Sequence, residues 1–313
     1  MDRIQAVIGI SLDSLHSSWA KHSFINPNSF LISRDYLPNQ ISYGLSQDRN
    51  LVILLPSSLN LYPLKIGEIA QIYGINTFTS VFDGSTLDGT PFVYLSSKVD
   101  EQKEFLDVFC TLATSEDFQF QIVKFIELLL KANKRRPKFD APSFFAELSV
   151  VSSLLDDRAN VVDSWQSSGN SIFDIVASEN YPAIEIKSTT YTDSRIHTLS
   201  LHQIRYFSNN PGSLLASVQV SEDSDGITCR ELSIKLKQTL LELQLPGVEY
   251  IDALLVSLSR QESFNQHKFC LISTTASIKY LSPDFGDLDL LQPPPYILSA
   301  KIKLDFDLIP ELS

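Results

Sequence analysis

The chain has 313 residues, enough for one large domain or two ordinary ones. Hydrophobic residues make up 43% and charged residues 20%, which excludes a disordered chain, and 19 Phe and 11 Tyr can fill a core. The formal net charge of −12 argues against a surface that binds nucleic acid everywhere, although a local basic groove can coexist with an acidic remainder.

In chain order, Leu51-Val52-Ile53-Leu54-Leu55-Pro56 reads as a buried strand closed by proline. Asp83-Gly84 and Asp88-Gly89 mark tight turns, and Pro91-Phe92-Val93-Tyr94-Leu95 reads as the strand that follows. Residues 101–115 and 117–134 change to helical spacing; in the second, Phe118, Ile122, Phe125, Ile126, Leu129 and Leu130 recur at threes and fours. That helix runs into Lys131, Lys134, Arg135, Arg136, Pro137 and Lys138, where a proline ends it and a junction between two halves is expected. The cations suit a solvated helix end and also suit DNA phosphates.

A second helix is predicted over 141–157, with Asp140 as its cap and Pro142 in its first turn. Its apolar stripe is Phe144, Leu148, Val151 and Leu155, and Glu147 lies on that stripe. A carboxylate on a buried face is costly unless it pairs or binds a cation. Three strands are predicted next, Val161–Gln166, Ser171–Ala177 and Ala183–Thr189, with turns at 167–170 and 179–182; Trp165 on the first of them reads as core. A helix then begins near Ser200, Leu214–Val220 reads as a strand, 230–245 and 248–258 read as helices, and the tail reads as strand through 297–300 with alternation at Ile302, Leu304 and Phe306. This order predicts an α/β protein built around a mixed sheet, with an N-terminal α+β region at 1–138 and the second domain at 139–313.

Cys110, Cys229 and Cys270 are odd in number, far apart and outside any CxxC or Cys/His cluster. Neither a disulfide framework nor structural zinc is expected, and a reduced, cytoplasmic setting fits. Asp2 and Arg3, with Asp13 interrupting the first apolar stretch, do not read as a signal peptide. No apolar run approaches the ~18 residues of a membrane span.

Side chains of a strand alternate between faces, so Ala183, Glu185 and Lys187 project to one side and Ile184, Ile186 and Ser188 to the other. Pairing across the short turn before Ala183 can bring Asp174 near Glu185. Mg²⁺ prefers oxygen ligands, commonly one or two carboxylates with several waters. Asp174 and Glu185 are therefore candidate metal ligands, with the carbonyl of Ile186 as a third oxygen. Lys187 is the candidate that positions the attacking water and the phosphate. Two adjacent carboxylates without metal repel, so at least one should hold its proton more tightly. A bare (D/E)-x-K is weak, and Glu101-Gln102-Lys103 supplies a second copy without a carboxylate strand before it.

The ordered set Glu147, Asp174, Glu185-Ile186-Lys187 and Gln203 resembles the PD-(D/E)XK nuclease superfamily. Its pattern is a helix bearing Glu, a strand ending in Asp, a strand bearing (D/E)-x-K and a helix often bearing Gln. The chain is similar in particular to PD-(D/E)XK proteins encoded beside prokaryotic restriction and phage-defence genes. That likeness rests on Ala146-Glu147-Leu148, Trp165, Phe173-Asp174, Ile184-Glu185-Ile186-Lys187 and Leu199-Ser200-Leu201-His202-Gln203-Ile204. It covers roughly 140–210; the flanks carry no sharp motif. Phe173 stands in place of the proline of the family's name, a frequent variation that removes no ligand.

The resemblance implies a restriction-endonuclease-like core and a Mg²⁺-dependent endonuclease, with Mn²⁺ able to substitute, in which Glu147 and Gln203 join Asp174, Glu185 and Lys187 as catalytic residues. It implies double-stranded DNA as partner, with restriction or phage defence as the setting, further defence-system proteins as partners and a homodimer as an assembly. The competing expectation is an inactive nuclease-fold subunit acting as a DNA- or protein-binding scaffold in a defence complex, which the acidic charge favours. Ser200-x-x-Gln203 also reads as a capping box, and His197 and His202 are nearby candidates for phosphate contact or proton transfer. No Walker A loop, Rossmann fingerprint or nucleophile elbow is present.

Overall fold

The structure, a computed structural model, describes residues 12–22, 24, 29–33, 35–59, 61–74, 77–80, 86–135, 139–155, 161–166, 172–179, 181–272, 278–281 and 301–308. It divides into two compact units, Met1–Asn133 and Lys134–Ser313. The predicted turn at 83–84, the run 136–138 and the predicted strand at 297–300 lie outside the described residues.

The first unit starts with helix α1 (12–19). Its strands are β1 (Ser29–Ile32), β2 (Ser42–Leu45), β3 (Leu51–Leu55), β4 (Leu64–Ile66), β5 (Ala70–Ile72), β6 (Thr77–Ser80), β7 (Thr86–Asp88) and β8 (Thr90–Tyr94). They form one eight-stranded sheet in the order β4-β5-β8-β3-β2-β1-β6-β7, antiparallel except where β1 meets β6. Strand β3 is buried along its whole length, as its unbroken apolar run requires at the centre of a covered sheet, and Pro56 follows its end. Helices α2 (Val99–Ala113) and α3 (Phe118–Arg135) follow the sheet. An aromatic cluster joins Phe92 and Tyr94 of β8 to Phe105 and Phe109 of α2 and Phe125 of α3, with Tyr94 and Phe105 stacked at 4.4 Å. Gln102, in the second (D/E)-x-K copy, lies within this unit, where its amide donates to the Arg49 and Ser96 carbonyls. It belongs to the core and not to a carboxylate site.

The second unit begins with α4 (Ala141–Ser153), started as predicted by Asp140, whose carboxylate accepts the Ser143 N–H. Residues Val161–Gln166 are not a strand but a short helix, α5. Their β-branched and aromatic content suggested an extended segment, yet Val161, Val162 and Trp165 fall on one helical face and are fully buried. Tertiary burial outweighed local propensity there. The expected strand at 171–177 is likewise reduced to a single bridge, Ile175 to Ile184, closed by two backbone hydrogen bonds of 2.9 and 3.0 Å.

There follow β9 (Ile184–Thr189), β10 (Ile196–Ser200), α6 (Leu201–Asn209), β11 (Leu214–Thr228), α7 (Cys229–Glu242), α8 (Val248–Leu258), α9 (Glu262–Asn265), β12 (Lys268–Leu271), β13 (Ile278–Leu281) and β14 (Lys301–Asp305). Strand β11 organises the mixed sheet: β9 pairs with it in parallel, while β13 and β12 pair antiparallel along its early and late stretches. The order after β9 is therefore a crossover through β10 and α6. Helix α4 packs on β9 and β11 from one face, where Ser143 Oγ meets Ser188 Oγ at 3.1 Å. Helix α6 packs on the other, where Phe173, Ala183, Leu199, Ile204, Phe207, Leu215 and Leu281 form a buried cluster. Strand β10, which the sequence did not announce, pairs with β14 as a separate two-stranded ribbon. The unit is a mixed α/β fold with its sheet flanked by helices. Among the described residues no helix is long and apolar enough to cross a membrane.

Candidate active site

The bridge between Ile175 and Ile184 sets the register across the turn and places Asp174 opposite Glu185. Asp174 Oδ2 accepts the Ile186 N–H at 2.8 Å, so the aspartate is held against the edge of β9 opposite the one paired with β11. In an extended strand the N–H and C=O of one residue leave by the same edge, so the Ile186 carbonyl also points to the Asp174 side. On the α6 face of β9, Glu185 is 3% exposed, and its Oε1 meets Lys187 Nζ at 2.6 Å. The same oxygen accepts from the amide of Gln203.

Gln203 forms the expected capping box and also touches Glu185. Its Oε1 accepts the Ser200 N–H at 2.9 Å, while Ser200 Oγ accepts the Gln203 N–H at 3.3 Å, which completes a capping box at the start of α6. The amide nitrogen at the other end of the side chain is left to donate to Glu185. The helix start thus aims the glutamine at the site.

Glu147 comes from α4, on the opposite face of the sheet. It is half-buried, and its Oε2 accepts the indole N–H of Trp165 at 2.7 Å. The sequence marked Trp165 as core and Glu147 as a buried carboxylate in need of a partner. The direct bond between them was not foreseen, because it depends on α5 being a helix that turns the indole toward α4.

Burial and neighbouring charges shape the acidity of Asp174 and Glu185. Burial, then the Glu147 and Glu185 charges, hold the Asp174 carboxyl well above the ordinary carboxylate range, against the opposing pull of the Ile186 N–H and Lys187. Glu185 is also raised, mainly by burial, with the Lys187 ion pair as the chief opposing influence. A buried acid of this kind costs stability as pH rises: the folded state keeps a proton that the unfolded chain has already released. Without divalent metal, the protein therefore loses stability from about pH 4 upward through the raised value of Asp174, and does not regain it above. Asp174→Asn keeps the acceptor for Ile186 and removes the charge. At pH 7 in a chelator this variant should melt at a higher temperature than the native chain, with the gap closing near pH 4; a lower melting temperature at pH 7 would contradict this reading.

The donor set suits a hard cation. Asp174 Oδ1 and Glu185 Oε2 make no hydrogen bond among the described residues, and together with the Ile186 carbonyl they offer oxygen ligands only. Among the described residues no group of three or more His, Cys, Asp or Glu side chains could hold a metal ion. The fit thus rests on two carboxylates, a main-chain carbonyl and water, which is how Mg²⁺ and Mn²⁺ are commonly held.

The two histidines separate. His202 is exposed on the first turn of α6. His197 is buried: its Nε2 lies 2.7 Å from Ser217 Oγ and its ring also bonds the Ser188 backbone. Burial, then the Lys187 and Arg195 charges, bring it down to about 4, so it is neutral at physiological pH and has no access to a phosphate. Arg195 donates to the Ser217 carbonyl at 2.7 Å and completes this buried group beside Lys187, which is paired with Ser217 in the sheet register. Neither Arg195 nor Ser217 was singled out from sequence; the alternation of Ile196 and Thr198 with His197 and Leu199 was the available signal. Of the basic run, Lys131 is exposed on α3, and the side chains of 134–138 lie outside the described residues. Against family models, curated proteins and solved structures alike, the chain finds no match.

Proposed function

We propose that the chain is a metal-dependent phosphodiesterase of the PD-(D/E)XK kind that cuts double-stranded DNA in restriction or phage defence, on a restriction-endonuclease-like core. One observation carries the reading: Asp174 is bonded to the Ile186 N–H of β9, beside Glu185, whose Oε1 meets both Lys187 and the Gln203 amide. The succession α4, Asp174, β9, α6 and β11 supports the same reading.

Asp174, Glu185 and the Ile186 carbonyl would hold Mg²⁺ or Mn²⁺. Bound there, the cation supplies polarisation of the phosphate and a lowered pKa for an attacking water. Lys187 orients that water and offsets negative charge as the water oxygen bonds to phosphorus and the bond from phosphorus to the leaving sugar oxygen breaks. The products are a phosphomonoester and a free hydroxyl. Gln203 keeps Glu185 aimed by donating to it, and Trp165 holds Glu147 by its indole N–H.

Purified protein should nick or linearise plasmid DNA with Mg²⁺ or Mn²⁺ and not in a chelator, and Asp174→Ala should abolish the activity. Cutting that survives Asp174→Ala sinks the assignment. A chain that binds DNA or a defence-system protein tightly but neither binds Mn²⁺ nor cuts is the inactive scaffold instead.

A further inference from the structure

The ribbon formed by β10 and β14 has two unlike faces. Its register pairs Thr198 with Lys303 and Ser200 with Lys301, so these four side chains share one face with Ile196 and Asp305. Leu199, His197, Ile302 and Leu304 share the other, turned toward the core. On the outer face Lys301, Lys303 and Thr198 are exposed. The ribbon runs directly into α6 through Ser200, the cap whose partner Gln203 touches Glu185. The outer face therefore begins beside the candidate site.

Charge is segregated around it. The chain holds 37 acidic residues in 313, so a stretch as long as 188–221 should carry about four, yet it carries only Asp193. That stretch contains β10, α6 and the start of β11, with Arg205 and the buried Arg195, which faces Asp307, as its cations. In a protein of net charge −12, β14 brings Lys301 and Lys303 beside this acid-poor stretch, with Asp305 and Asp307 at the end of the ribbon away from Ser200.

We infer that the outer face of the ribbon, with His202 on the first turn of α6, is a contact surface for the phosphodiester backbone of duplex DNA. The inference rests on the site being a DNA phosphodiesterase, whose substrate must lie across the neighbouring surface. Lys301 and Lys303 are two residues apart on an extended strand, about 7 Å, a step comparable to that between successive phosphates of one strand. Thr198, Ser200 and His202 add hydrogen-bonding groups of the kind that position a backbone without reading its sequence. Asp305 ends the basic face and repels phosphate there.

The test is binding without catalysis. A fluorescent duplex is titrated with the full chain in a chelator at several salt concentrations, for the native protein, Lys301→Gln/Lys303→Gln and Asp305→Asn. Loss of two phosphate contacts should lower the slope of log K against log salt by about 2 and weaken binding by about tenfold or more at low salt. Asp305→Asn should strengthen binding. Absence of duplex binding by the native chain at low salt, or an unchanged slope in the double variant, overturns the surface. Because no metal is present, the result is separate from cleavage. A chain that cuts DNA with the ribbon variants unaffected keeps its active site and loses this surface. A chain that binds through the lysines yet never cuts keeps the surface and loses the catalytic reading.

Discussion

Lys187→Ala should lower the rate of metal-dependent DNA cleavage by about 10²–10³-fold or more, the loss expected when a charged group aimed at the reacting phosphate is removed. The geometry also predicts how the loss divides. Lys187 Nζ sits 2.6 Å from Glu185 Oε1, so in the absence of metal the lysine is the cation that Glu185 faces. Removing it removes a competitor for the glutamate while leaving the Asp174 and Glu185 oxygens in place. Mn²⁺ affinity, read by calorimetry, should therefore hold or rise as kcat falls. Asp174→Ala should lose both, because it deletes a ligand. The buried Glu185 carboxyl adapts to the missing lysine by holding its proton more tightly, which softens the penalty that an unpaired buried charge would impose. A Lys187→Ala enzyme with native kcat, or one whose defect is confined to Mn²⁺ binding, would contradict the role given to the lysine.

Trp165→Ala should destabilise the second unit by about 3–5 kcal/mol, the range for deleting a fully buried large aromatic side chain. The indole is 0% exposed, lies edge-on to Tyr250 at 5.6 Å and tilts against Phe144 at 6.0 Å. Its deletion opens a cavity between α4, α5 and α8 and strips Glu147 of its N–H donor. Trp165→Phe narrows the comparison, since it keeps a ring and part of the packing while removing the hydrogen bond to the carboxylate, worth about 1.5–3 kcal/mol, along with the smaller part of the indole's volume. Urea unfolding followed by far-ultraviolet circular dichroism gives both values without relying on the substituted fluorophore. If Trp165→Phe costs as little as an exposed substitution, the bond to Glu147 carries no stability and the glutamate is held by other means. If it costs the expected amount and also slows cleavage, Trp165 links the core to the site.

Much of the second unit was readable because its signals were local. Asp140 before an apolar repeat and the Ser200-x-x-Gln203 box both specify a helix start through hydrogen bonds spanning three residues, and both helices begin where those caps stand. The buried run of β3 was equally plain, since unbroken apolar length within a short segment needs little context. Val161–Gln166 misled for the opposite reason. Six residues are too few for period to arbitrate, and composition pointed to strand while packing against Phe144 and Tyr250 selected a helix.

The site divides in the same way. The types and order of Glu147, Asp174, Glu185, Lys187 and Gln203 are properties of the chain itself, and so is the alternation that sends Glu185 and Lys187 to one face of β9. Whether Asp174 meets Glu185 depends on a register that one slipped residue would reverse, and the single bridge from Ile175 to Ile184 decides it. Glu147 comes close enough for its charge to act on Asp174 only because α4 packs on β9 and β11. The ribbon of β10 and β14 joins residues more than 100 apart, which no local pattern encodes. Short-range hydrogen bonds and periodicity are written in neighbouring residues. Long-range pairing is chosen by what the whole core can bury, and it is this choice that brings a spaced set of carboxylates together.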